Sequence, residues 1–202
     1  MQTRFVAAAL VASLATPAAA LASAWDIDSG HTSATFSVRH LAVSNVRGEF
    51  GKVTGAINLD DKDIAKSTVE ASIDTSTVNT RNTDRDNHLK SPDFFDVAKF
   101  PSITFKSKKV SKSGKHLKVT GDLTIHGVTK EVVLEVEENG VQKDPWGNTK
   151  AGFTATTKVN REDFGLVWNK TLETGGLLVG KEVAITLDVE AGRKPDAAPA
   201  AK

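Results

Sequence analysis

Eight stretches of this chain alternate apolar and polar residues with a period of two, and that rhythm restricts it to sheets with one buried face. Ala34, Phe36 and Val38 share a face against Thr35, Ser37 and Arg39. Val53, Ile57 and Leu59 belong to a long run from Val46 to Asp60, in which Gly51 and Gly55 mark bends. Val69, Ala71 and Ile73 come next, then Ile103 and Phe105, then Leu117, Val119, Leu123 and Ile125. Val132, Leu134 and Val136 are opposed by Glu131, Glu135 and Glu137. Phe153, Ala155 and Val159, followed by Val183, Ile185, Leu187 and Val189, complete the series. Clusters of Gly, Asn, Asp or Pro join most of them, and His126-Gly127 reads as a tight turn. About eight antiparallel strands at near-regular spacing predict an all-β sandwich or barrel. The barrel is the better reading, because several strands are long and long open edges invite aggregation. An eight-stranded barrel either fills with side chains or holds one ligand. Composition alone favours filling. The small Val, Ile, Ala and Gly of the inward face leave room for the second outcome.

The ends of the chain read differently from its middle. Arg4, the apolar run Phe5 to Ala15 and the A-x-A pattern Ala22-Ser23-Ala24 predict a cleaved secretory signal over residues 1–24. Ala18-Ala19-Ala20 offers a second cleavage point. The apolar run is shorter than the ~20 residues needed to span a bilayer. Residues 25–190 then form one domain, and the Ala/Pro-rich end, 191–202, is expected to be disordered. There is no cysteine, so neither disulfides nor an amino-terminal lipid anchor is available. The net charge is only +1 and its surplus lies in the leader, which argues against nucleic acid as a partner.

One segment breaks the strand rhythm. Thr83 with Asp86 fits an N-cap for a short helix over Asp84 to Lys90, ended by Pro92. Phe94, Phe95 and Phe100 follow in a loop. Burying each such ring stabilises by about 1.5–3 kcal/mol, so this loop must fold onto the core or onto a bound apolar molecule. Left exposed, the region Phe94 to Phe105 would instead serve as a docking patch for a partner protein.

The runs RDNHLKSPDFFD (Arg85 to Asp96), GDLTIHGVTK (Gly121 to Lys130) and NREDFGL (Asn160 to Leu166), with the opening DSGHTSATFSVRH, carry a resemblance. From about Trp25 to Glu190 the chain resembles the YceI family. That resemblance implies a lipocalin-like antiparallel barrel in the periplasm, binding a long isoprenoid or similar lipid chain inside, without a cofactor. It also leaves room for a homodimer and for a membrane redox partner that would receive a quinone. Phe36, Val38, Ile57, Val69, Ile73, Phe105, Leu123, Leu134 and Phe153 would line or cap the cavity, with Phe164 tucked in from the Arg161–Gly165 loop. Arg85, His88 and Arg161 would be polar anchors for a phosphate or quinone head group at the mouth. The plainer reading gives Asp86 to the helix N-terminus and Arg85 to an ion pair.

Catalysis and metal binding find little support. No G-x-S-x-G elbow and no Cys–His arrangement exists, which leaves only Ser91 with His88 as a dyad for a hydrolase. The five histidines form neither HxH nor HExxH, so no metal site is expected. Asp84, Asp86 and His88 would converge in a loop but diverge on a helix.

Overall fold

The structure, a computed structural model, describes residues 22–195 apart from Asp61 and Thr174. The proposed leader up to residue 21 and the tail from residue 196 therefore lie outside the described residues. Within them the strands are β1 (Ser23–Ile27), β2 (Ser33–His40), β3 (Ser44–Phe50), β4 (Val53–Leu59), β5 (Thr68–Asp74) and β6 (Val78–Asn79). They continue as β7 (Ser102–Ser113), β8 (His116–Ile125), β9 (Val128–Lys143), β10 (Thr149–Asn160) and β11 (Val179–Arg193), with the helix α1 (Thr83–Lys90) between β6 and β7.

These eleven strands make eight staves of one closed antiparallel barrel, because three staves are each assembled from two strands in line. Strands β1 and β2 lie end to end along β11, with Trp25 opposite Arg193 and Phe36 opposite Ile185. Strands β3 and β4, broken at Gly51-Lys52, pair with β2 and β1 in turn. Strands β5 and β6, separated by one 3₁₀ turn, pair with β4 and β3. Each of β7 to β11 is a stave by itself, and the β1–β11 pairing closes the circuit. The eight alternating stretches thus correspond to the eight staves. At Gly55 the neighbouring stave approaches so closely that a Cβ would sit 2.2 Å from the Glu70 carbonyl oxygen.

Inward residues fall into two core clusters, one toward each end. Trp25, Leu117, Val119, Leu134, Val136 and Phe153 gather at the end where β1 begins and β11 finishes. Phe50, Phe94, Ile103, Leu123, Phe164 and Leu166 gather at the opposite end.

Three boundaries differ from the sequence expectation. Ala191, Gly192 and Arg193 belong to β11 and not to a tail; Ala191 is fully buried opposite Ala151 and Ile27. Small residues that read as low-complexity tail are what the closing seam requires, since the chain there approaches staves on both sides. Asn82, not Thr83, caps α1, its Oδ1 accepting the Arg85 N–H at 2.9 Å. Asparagine is among the strongest cap residues, so it takes the position ahead of threonine.

The third concerns the A-x-A pattern, whose Ser23 and Ala24 are strand residues. The Trp25 indole N–H donates to Ser23 Oγ at 2.9 Å, and Ala24 O accepts from the Lys194 N–H at 2.8 Å. A chain beginning at Trp25 is expected to be about 1–3 kcal/mol less stable than one beginning at Ser23, because the buried indole loses its acceptor. Urea midpoints of the two truncations check this, and equal midpoints would remove the reason to retain Ser23.

Candidate functional site

The inward faces do not meet in the middle of the barrel. Between them lies a cavity of about 260 Å³, far above the ~10–15 Å³ that one buried water needs. It runs from Val38, Leu166 and Val179 near one end to Leu59, Ile64 and Val69 near the other. Its wall is almost wholly aliphatic and aromatic, with a few Ser and Thr side chains and one charged residue, Arg161. Phe36, Val38, Ile57, Val69, Ile73, Phe105, Leu123, Leu134 and Phe153 all line it. Phe164 does not: its ring is buried within the core cluster around Phe50 and Leu166, outside the cavity wall.

Glycines keep the large rings seated against the wall. A Cβ at Gly48 would lie 2.4 Å from the Phe36 ring, and one at Gly121 would lie 2.6 Å from the Phe105 ring. Each ring therefore lies over a neighbouring stave's glycine instead of projecting across the cavity. Phe50, Leu89, Phe94, Phe95 and Leu166 also line the cavity, and strand periodicity singled out none of them.

The segment from Thr80 to Pro101 caps one end. Thr80 is nearly fully buried and is gripped from α1 on both sides. Asp86 accepts its N–H at 2.8 Å and its hydroxyl at 2.5 Å, while Arg85 Nε donates to its Oγ1 at 2.7 Å and Arg85 Nη2 to its carbonyl at 2.8 Å. The far end of the segment is tied down by Thr75, whose hydroxyl donates to Phe100 O at 2.9 Å. Phe94 and Phe95 hang from this frame into the barrel, Phe95 edge-on to Phe50 with ring centres 5.5 Å apart. Phe100 packs on His126. Phe94 and Phe95 are thus turned inward, while Phe100 stays half-buried outside the cavity wall.

The three head-group anchors expected from sequence are engaged elsewhere. Both Arg85 contacts go to Thr80, and Arg85 lies outside the cavity wall. His88 Nε2 lies 2.9 Å from Asp93 Oδ2, and its ring stands edge-on to Phe94 and Trp168, again outside the wall. Arg161 does reach the cavity, but it is buried and surrounded by backbone carbonyls. Its Nε donates to Gly180 O at 2.9 Å, its Nη1 to Leu166 O and to Trp168 O at 3.0 Å, and its Nη2 to Val179 O at 3.4 Å. Burial pulls its pKa below the ordinary arginine value, with Glu162 opposing. Arg161 is a clasp that holds the segment after β10 to the start of β11.

Ser91 and His88 form no dyad, since the Ser91 hydroxyl donates to the His88 carbonyl at 2.7 Å and the imidazole faces Asp93. Asp84, Asp86 and His88 lie on a genuine helix and diverge as helical spacing requires. Among the described residues, Asp28, His31 and Glu190 do bring ligand-type atoms together. The Lys150 ammonium already sits there, 2.7 Å from Asp28 Oδ2 and 3.1 Å from Glu190 Oε1, so the cluster is an ion-pair staple across the closing seam. The hydrogen bond from Lys150, aided by His31 and the Gly30 N–H, holds the Asp28 carboxyl well below the usual carboxylate range. A carboxylate depressed in the fold adds stability above its unfolded pKa, near 3.8, and loses it as pH falls toward the folded value. Lys150→Met is therefore expected to be less stable than the parent at neutral pH and to converge on it in strong acid. Denaturation midpoints across pH test this; a constant gap would assign Lys150 a packing role.

Comparison with known proteins places this architecture among relatives. The family model described as a YceI-like domain matches residues 25–191. A UPF0312 protein of Staphylococcus aureus (strain MSSA476) is 44% identical over 164 residues, covering 81% of this chain and 94% of that protein. The crystal structure of a Campylobacter jejuni YCEI protein is similar with a TM-score of 0.65 at 36% identity, over 78% of this chain and 90% of that one. A polyisoprenoid binding domain from Saccharophagus degradans shares the fold with a TM-score of 0.62 at 16% identity, over 86% of this chain and 99% of that one.

Proposed function

This chain belongs to the family of YceI-like domains, and on that footing we propose that it binds the tail of a long-chain isoprenoid or similar lipid inside its barrel. The observation that carries the reading is the apolar cavity between two core clusters, lined by aliphatic side chains and by rings held back over glycines. Apolar cavities stay dry and take up apolar guests, since solvating such a wall gains water too few partners. The polyisoprenoid binding of the Saccharophagus degradans domain supports the choice of ligand class. Each five-carbon unit buried contributes ~3–4 kcal/mol at ~0.8 per carbon. Association costs an estimated 4–15 kcal/mol, so about four units give useful affinity with no strong polar contact. That suits a cavity whose one cation is already surrounded by carbonyls: the tail is recognised and the head group stays outside.

We read the protein as a carrier or store and not as an enzyme, and the leader pattern supports work in the periplasm. Mass spectrometry of organic extracts from gently purified native protein tests the function. A co-purifying long-chain isoprenoid or acyl lipid is the expected result. An apo protein that also refuses such lipids when they are added would end the carrier reading.

A further inference from the structure

Four exposed apolar side chains gather at the end of the barrel where β2 turns into β3. Leu41 and Val43 stand on that turn, and Val167 and Leu177 on the segment between β10 and β11. Val43 is 76% exposed and Val167 65%. The two segments are joined, since the Leu41 N–H donates to Leu178 O at 2.9 Å. They border the cavity directly: Val38, Leu166 and Val179 line it, and Val179 pairs with His40. The turn is an unfavourable one for its residues. In this three-residue loop between the paired His40 and Ser44, Leu41 and Ala42 have φ of 53° and 58°, left-handed values that favour Gly and Asn. A sequence free to relax this turn would place polar, flexible residues there; instead it presents apolar ones to solvent.

We propose that this rim is a docking face for an anionic lipid bilayer, against which the cavity is loaded and emptied. The proposal rests on the reading of the cavity as a lipid site and names where that lipid comes from. Charge supports the choice of partner. Arg39 and Arg47 stand on the outer face of the β2–β3 ribbon and Lys170 on the second segment, all exposed, against Glu173 on the same segment, with the exposed Glu49 and Asp163 set farther back along their elements. Lys181 is balanced by Glu162 at 2.8 Å. Cations around an apolar tip match anionic head groups over an acyl layer, which attract basic residues within a Debye length of the surface. Trp146, 85% exposed on the β9–β10 turn, marks the opposite end of the barrel and supplies the control.

The test uses phosphatidylcholine vesicles with and without phosphatidylglycerol, and a dansyl-labelled farnesyl chain as probe. The wild type is expected to float with the anionic vesicles and to take the probe from them. In V43D/V167D both should fall at least about tenfold, while probe added from dilute solution is still taken up as by the wild type. A wild type that takes up no probe from solution sinks the cavity reading and this one with it. A wild type that takes up probe but ignores both vesicle types sinks the docking face alone. Flotation that survives in V43D/V167D, or is lost in Trp146→Ser instead, also overturns the assignment.

Discussion

Replacing Arg161 with methionine is expected to destabilise the barrel by about 3–5 kcal/mol, the range for breaking a buried, hydrogen-bonded charge site. Methionine keeps much of the aliphatic volume but strands the carbonyls of Leu166, Trp168 and Gly180, which the guanidinium now satisfies, while Val179 O keeps the Asn169 Nδ2 donor at 2.8 Å. Each orphaned buried carbonyl costs on the order of 1–3 kcal/mol, less where water can reach it. Arg161→Lys should recover part of the loss, because one ammonium cannot span acceptors spread over two segments. Urea unfolding of the three proteins measures the series. The competing role, a head-group anchor, makes the opposite forecast: stability unchanged and affinity lost for charged lipids only. That pattern would return Arg161 to the binding site and remove it from the frame.

The same residue explains how the rim is built. Leu166 and Trp168 lie on one side of the clasp and Val179 and Gly180 on the other, so the intervening segment leaves the barrel and returns to it at one fixed point. Trp168 then meets His88 and Phe94, ring centres 4.7 and 5.3 Å away, which joins this segment to the cap. Loss of Arg161 should therefore loosen the cap as well as the rim. Faster amide exchange over residues 83–95 in Arg161→Met would register that coupling.

How far the sequence could be read follows from which interactions are periodic. The staves were legible because each buries every second residue, and Val183, Ile185, Leu187 and Val189 announce an inward face without reference to any partner. The breaks within staves were half legible: Gly51 signals one, but the short β1 and β6 carry too few residues to establish a rhythm. The inward turn of Phe94 and Phe95 followed from the cost of leaving rings in water. The fates of Arg85, His88 and Arg161 did not, because a cation beside a cavity and a cation gripping a loop present the same letters. Only the positions of the Thr80 oxygens, the Asp93 carboxylate and the carbonyls around Arg161 separate the two. Ala191 was misread for a related reason, since a small residue at a tight seam and a small residue in a tail have the same composition.

Ala155→Phe is expected to reduce affinity for long isoprenoid chains at least hundredfold, about 2.7 kcal/mol, while leaving the fold intact. Ala155 faces inward between Val136 and Leu187 in the half of the cavity nearer Trp25. Added volume in a filled core usually costs 1–3 kcal/mol through strain. Here the ring would enter space already vacant, so stability should change by no more than about 1 kcal/mol in either direction. A strand rises ~3.3 Å per residue, which gives the tilted barrel a channel of roughly 20–25 Å. A ring at Ala155 closes its inner half. Chains of four or more isoprene units lose at least one buried unit, worth ~3–4 kcal/mol. A two-unit chain binds more weakly but still fits between the block and the rim, so its affinity for the variant should match its affinity for the parent. Titrating both probes into both proteins therefore separates a blocked channel from a damaged one. Length-dependent loss means that the tail runs down the barrel axis. Uniform loss means a misfolded wall, and undiminished binding of the long chain by a folded variant means that the lipid lies somewhere other than inside.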